Sequence, residues 1–450
     1  MYWSKYNQIL PLFEGKEYAL VNALMGLVDF ATAEEGAQLE AAAAGRWEEV
    51  GPELLSYLQD RGYILPDATS ESLLLADKYG EFQQELATSP THILLVPTYA
   101  CNLACTYCFQ QGMKEGELIT KEVVDAFFRH ISSKFGQEQP RPFITLFGGE
   151  PLIASPRQLE IIDYIARQAK TNDFELAAVT NGYDLEQFVP LFQASGVRIK
   201  EIQVTIDGPQ EVHDARRGTA DGRGTFAEIM RGIRAAVAAG FPINFRVVVD
   251  KENLPSLLPL VRYLEEQGWL DLSPGQFKTQ LGRNYELYDC YARPQHLFNR
   301  LEMWAAYAAL AKKEPLLQKF HQPDFKGIRY LIENGEMLVP AFDTCPAAKK
   351  EWVFDLHGYI YGCTATAGRA EHRLGTFWPE VIYDQEAVRL WQTRNVLTIP
   401  ECRDCAVAHV CGGGCGAVAW SRTGKVQAPD CRPIKELYTL GLEYYRDKLG

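Results

Sequence analysis

Ten of the chain's eleven cysteines fall into two groups. Cys101, Cys105 and Cys108 form a C-x3-C-x2-C knot in PTYACNLACTYCFQQG. Cys345, Cys363, Cys402, Cys405, Cys411, Cys415 and Cys431 crowd the last quarter, and Cys290 stands alone. Thiolates at such spacings suit zinc or iron–sulfur clusters rather than a dispersed core. Three thiolates on a compact loop can hold three irons of a cube and leave the fourth iron without a protein ligand. A catalytic centre needs that open position. Zinc would need a fourth ligand nearby, and the flanking histidines, His92 and His130, lie in a strand and far downstream. Tyr107 and Phe109 flank the last thiol, where they can shield a cluster from water.

The elements that must position these thiols are legible in the hydrophobic pattern. From Thr91, apolar runs alternate with helical stretches: HILLVPT, PFITLFGG, FELAAVTNG, IKEIQVTIDG and INFRVVVD as strands, with helices of the VVDAFFRHISSKF kind between them. Repeated βα units predict an α/β fold with a parallel sheet, whose strand C-termini carry the chemistry. Residues 1–88 predict a small module of short strands and two helical stretches. EEVGPELLSYLQDRG carries Val50, Leu54, Leu55 and Leu58, and Gly62 is its stop. A winged-helix-like module fits, and a helical cap on the main domain is the alternative. Beyond residue 320 the alternation fades into Gly, Pro and cysteine, as in a region stapled by metal.

The strand ends carry further polar segments. Gly148-Gly149-Glu150-Pro151 closes the second strand and Thr180-Asn181-Gly182 the third. Thr205-Ile206-Asp207-Gly208-Pro209, followed by His213-Asp214-Ala215-Arg216-Arg217, closes the fourth. Glycines let a ligand approach the backbone closely, and Pro151 turns the chain out of its strand.

The knot and these segments together resemble the radical SAM superfamily. The resemblance implies a cluster at Cys101, Cys105 and Cys108 whose open iron chelates S-adenosylmethionine. Reductive cleavage then yields a 5′-deoxyadenosyl radical that abstracts hydrogen from a substrate. It further implies cofactor contacts at Tyr107, Gly148, Gly149, Glu150, Asn181, Thr205, Asp207 and Arg217, with the GGEP segment meeting the amino group. Thr205 stands where serine is usual and keeps the hydroxyl. Arg217 aligns with the arginine that pairs with the SAM carboxylate, and Arg216 beside it leaves that alignment open. Arg246 and Asn253 also fall at family-like positions.

The C-terminal array, C-x12-G-x4-C, C-x2-C-x5-C-x3-C and x15-C, resembles the SPASM extension of these enzymes. By position, Cys402, Cys405, Cys411 and Cys431 would close one auxiliary cluster, and Cys345, Cys363 and Cys415 would hold another. Either that second cluster keeps an open iron or Cys290 fills it. The resemblance thus implies three [4Fe–4S] clusters, about twelve irons. The implied architecture is a partial (β/α)6 TIM-like barrel over 91–320, a leader-recognition-like winged-helix module over 1–88 and a SPASM domain over 321–450.

Relatives with this extension mostly modify peptides. The expected function is a peptide maturase acting on a ribosomally made precursor with a leader. The expected product is a thioether crosslink, with a carbon–carbon crosslink next, and the expected reductant is an external one-electron carrier of flavodoxin or ferredoxin type. The alternatives are a sulfatase-maturase-like enzyme making formylglycine and a non-catalytic electron carrier. Glu443 and Asp447 are candidate bases that read more simply as surface residues of a final helix. A formal charge of −13 disfavours nucleic-acid and anionic-membrane partners. The start MYWSKYNQILPLFEGKEY carries no signal-peptide pattern, so a cytoplasmic location is expected.

Overall fold

The computed structural model describes residues 1–113, 116–284, 287–288 and 294–449. Near the N-terminus, β1 (Asn7–Leu12), β2 (Glu17–Asn22) and β3 (Leu27–Thr32) form an antiparallel sheet in that order. Alternation gives it two apolar faces. Leu10, Leu12, Ala19 and Val21 pack on the far C-terminal helix, while Leu20 and its neighbours pack on Leu39, Leu58 and Tyr63.

Three helices follow. α1 (Ala33–Ala43) opens with a capping box between Thr32 and Glu35. α2 (Pro52–Arg61) starts at a proline and ends at Gly62, whose φ of 92° is the left-handed stop expected of glycine. α3 (Ala68–Thr88) is a third helix beyond the two expected; Leu75, Tyr79 and Phe82 recur at helical spacing but are only half-buried, and Leu73 is exposed. Leu74, Leu75, Tyr79 and Phe82 of α3 pack near Phe342, Val396, Ile399 and Cys402. The module therefore leans on the cysteine-rich region.

The main sheet contains β4 (His92–Val96), β5 (Phe143–Leu146), β6 (Leu176–Thr180), β7 (Ile199–Thr205), β8 (Ile243–Val249) and β9 (Phe277–Arg283). They are parallel and adjacent in sequence order. Five of these strands match the expected runs. β9 is the sixth, hidden in the sequence because Lys278, Gln280 and Arg283 break its apolar run. Between strands lie α4 (Lys121–Phe135), α5 (Pro156–Thr171), α6 (Leu185–Ser195), α7 (Gln210–Arg217), α8 (Phe226–Ala238) and α9 (Leu257–Glu266). Their apolar faces, such as Val124, Phe127 and Ile131 of α4, close the core over the sheet.

The sheet does not stop at residue 320. β10 (Glu351–Asp355) adds in parallel beside β4, pairing Glu351 with His92. β11 (Tyr359–Tyr361), β12 (Gly375–Thr376) and β13 (Ile382–Tyr383) extend it antiparallel to ten strands among the described residues. Parallel strands place the loops after β4 to β8 along one edge of the sheet, and the first cysteine knot lies there. Among the described residues no helix is long and apolar enough to cross a membrane.

Candidate functional site

The Cys101–Cys108 knot follows β4 and is braced from two sides. The Ala104 amide donates to the Gly218 carbonyl at 2.9 Å, and the Thr106 amide to the Arg216 carbonyl at 3.1 Å. On the other side, the Gly149 amide donates to Thr98 O at 3.1 Å and the Glu150 amide to Ala100 O at 2.7 Å. A β-carbon on Gly149 would stand 2.2 Å from both Tyr99 O and Ala100 O. The close approach that Gly149 permits is thus made by the chain's own cysteine loop. Gly149→Ala is expected to cost ~1–3 kcal/mol through backbone displacement. Differential scanning calorimetry of the reconstituted protein checks this, and an unchanged unfolding temperature would refute the packing argument.

Glu150 is 1% exposed. Its carboxylate accepts from Thr180 Oγ1 at 2.6 Å, the Leu152 amide at 2.8 Å and the Asn181 amide at 2.5 Å. Burial pushes its pKa up to about 7 against those donors. The side chain ties the ends of β5 and β6 together. Asn181 reaches the knot itself, with Nδ2 donating to Asn102 Oδ1 at 2.7 Å and lying 3.9 Å from Cys101 Sγ. Thr205 is buried at the end of β7.

The two adjacent arginines of α7 part company in space. Arg216 donates to Asp207 at 3.2 Å and pairs with Asp250 at 2.9 Å, and both acids are buried. Asp207 also accepts from Tyr107 Oη at 2.6 Å and from the Val248 amide. Arg217 donates Nη1 to Tyr107 Oη at 2.6 Å, while its buried Nε has no hydrogen-bond partner. Burial works against the Arg217 charge, but Cys105, Tyr107 and Asp207 more than offset it. Arg217 therefore stands cationic beside the knot with its Nε unpartnered, whereas Arg216 is tied to two buried acids and leaves Nη2 without a partner. Asp207 belongs to that scaffold as well.

Asn253 has a structural task, its Nδ2 donating to the Asp207 and Val248 carbonyls. Arg246 lies in β8 opposite Thr205, with a buried Nε lacking a hydrogen-bond partner. Glu443 accepts from the Phe13 amide at 2.6 Å, far in sequence and on the N-terminal module. Asn102 and Asp250 escaped sequence reasoning. Asn102 meets Asn181 and Asp250 meets Arg216 only where separate strand ends come together.

The C-terminal cysteines separate into two neighbourhoods. After burial and Glu351, Cys345 and then Cys415 are among the groups that push the Cys363 thiol up. Burial, then Cys411, Cys405 and Cys431, pushes Cys402 up to about 12. Each set is thus a group of neighbouring thiols whose thiolate forms disfavour one another unless a metal core offsets their charge. Among the described residues no three His, Cys, Asp or Glu side chains close around the volume of a single metal ion. Gly412, Gly413 and Gly414 link Cys411 of one set to Cys415 of the other, with φ of 60°, 72° and 70°. Three left-handed residues in succession are open only to glycine at low cost.

Tyr288 lies near Cys363 and Cys415, its ring 3.4 Å beneath the Arg369 guanidinium and its buried hydroxyl without a hydrogen-bond partner. Cys290, the alternative ligand for the three-cysteine set, lies outside the described residues.

Residues 95–264, which carry the strand-end knot, match the model of the Radical SAM superfamily. Across more of the chain, the sequence is 25% identical over 376 residues to a serine-type anaerobic sulfatase-maturating enzyme of Bacteroides thetaiotaomicron, covering 74% of this chain and 84% of that one. It is 26% identical over 344 residues to the mycofactocin maturase MftC of Mycobacterium ulcerans, covering 74% and 85%. In structure it resembles anSMEcpe with bound AdoMet, with a TM-score of 0.61, 18% identity and 80% and 94% coverage. It also resembles Streptococcus suis SuiB bound to S-adenosylmethionine, with a TM-score of 0.51, 13% identity and 96% and 99% coverage. At these identities the structural likeness is one of fold.

Proposed function

We propose that the chain is a radical SAM peptide maturase that crosslinks a ribosomally made precursor peptide. The observation that carries this reading is the N-terminal module joined to a knot-bearing parallel sheet and two cysteine sets. β3 is an edge strand of the module's sheet. Beside it lies a groove of about 580 Å³ lined by Phe30, Ala31, Leu39, Leu54, Tyr57 and Leu58. An extended leader can add to such an edge and place alternate side chains in the groove. The likeness to MftC, and to SuiB over almost its whole length, supports the same reading. A SuiB structure is described as bound to precursor peptide SuiA.

Held at Cys101, Cys105 and Cys108, a cluster with bound S-adenosylmethionine supplies a 5′-deoxyadenosyl radical able to take an unactivated hydrogen atom. The remaining residues bind and orient. Arg217 offers its spare donors to the SAM carboxylate. The Gly148-Gly149-Glu150 segment would meet the amino group, and Asn181 and Thr205 lie at neighbouring strand ends. Tyr107, held by Asp207 and Arg217, walls the knot against water. Cys402, Cys405, Cys411 and Cys431 hold one auxiliary cluster. Cys345, Cys363 and Cys415 hold the other, whose iron left without a cysteine would suit a peptide thiolate, and a thioether is therefore the product favoured.

The test uses anaerobically reconstituted protein, S-adenosylmethionine, a flavodoxin-type reductant and a short Cys-bearing peptide encoded beside this gene. The expected result is one 5′-deoxyadenosine for each peptide that loses two hydrogens, with a lower KM for the full precursor than for its core alone. Unmodified peptide would overturn the reading. The sulfatase-maturase likeness favours a second reading, formylglycine formation. Conversion of a sulfatase-derived Cys or Ser peptide would establish it.

A further inference from the structure

Arg394 has a completely buried side chain, an unusual fate for a guanidinium. Its nitrogens donate to the carbonyls of Gly413 at 2.7 Å, Gly414 at 3.1 Å, Val426 at 2.8 Å and Ala428 at 2.9 Å. Two of those carbonyls belong to the glycine loop joining the two cysteine sets. A β-carbon on Gly416 would stand 3.3 Å from both Arg394 Cδ and Cys345 Sγ, so a single carbon there would touch both. The guanidinium therefore clasps the loop whose ends are Cys411 of one set and Cys415 of the other.

The local charge does not balance among the side chains around it. Arg394 and Lys349 flank one acid, Asp343, at 3.7 Å and 2.6 Å, and all three are buried. Asp343 in turn accepts from the Cys345 amide at 2.9 Å. A buried net positive charge is costly unless an anion stands close by. Cysteines that ligate clusters at the two ends of the loop would supply it.

We infer that Arg394 is a positioning residue shared by the two auxiliary clusters, holding the loop that separates them and favouring the reduced state of both. The inference rests on the assignment of clusters to these cysteines. A reduced cluster carries one more negative charge, so a fixed cation nearby raises the reduction potential of each. One cation between two centres acts on both, which keeps an electron easily passed between them.

Potentiometric titration followed by electron paramagnetic resonance, with iron analysis, tests this on the full-length reconstituted protein. Arg394→Gln is expected to shift both auxiliary potentials to more negative values and leave the potential of the SAM-site cluster unchanged. Arg394→Lys, which keeps the charge but loses the fork, is expected to restore most of the shift. Unchanged potentials in Arg394→Gln overturn the inference. So does an Arg394→Lys protein as impaired as Arg394→Gln, since only the loop contacts would then matter. Should Arg394→Gln lose its auxiliary iron, the near-isosteric Asp343→Asn decides. A more positive auxiliary potential supports the inference, and an unchanged one overturns it. Wild-type protein holding about four irons instead of about twelve would instead sink the cluster assignment itself.

Discussion

Reconstituted protein in which Cys101, Cys105 and Cys108 are all replaced by alanine is expected to release no 5′-deoxyadenosine above background. It should still hold about eight of about twelve irons. The argument is geometric. The knot hangs from carbonyls and amides of residues 98–100, 149–150 and 216–218, not from its thiols alone. Those hydrogen bonds survive the substitutions, so the fold and both C-terminal sets persist while the SAM-binding centre is lost. Deoxyadenosine by liquid chromatography and iron by colorimetric assay are measured together. Retained cleavage would refute the site, and loss of all iron would show that the knot supports the whole molecule.

Arg216→Met is expected to destabilise the sheet domain by ~3–5 kcal/mol, because it leaves Asp207 and Asp250 as uncompensated buried charges. For a unit of this size that lowers the unfolding temperature on the order of 10 °C. Arg217→Met should leave the unfolding temperature nearly unchanged and weaken S-adenosylmethionine binding at least tenfold, since Asp207 keeps Arg216 and Tyr107 as partners. Calorimetry and equilibrium binding separate the two variants. Equal losses of stability in both would contradict the division of labour between these neighbours.

How much was legible varies with how local the causes are. The helix stop expected at Gly62 depends on residues within one turn, and it formed as local chemistry requires. Strand β9 was missed because its solvent-side Lys278 and Gln280 mask an inward Phe277 and Leu281. Helix α3 was missed although Leu75, Tyr79 and Phe82 recur at helical spacing; what half-buries them is Phe342 and its surroundings, more than two hundred positions away. Gly149 was read as making room for a ligand, but the room is taken by the carbonyls of residues 99 and 100.

The sequence alone determined the grouping of the thiols by spacing and the strand-end placement of the first knot. Spacings of two to five residues already constrain which thiols can meet, whatever the remote fold. Tertiary structure decided which adjacent arginine is buried in an ion network and which keeps spare donors at the knot. It also set Arg394 on the loop that joins the two cysteine sets. Electrostatic roles depend on distance through space, and those distances arise only when separate strand ends and loops are brought together by the packed core.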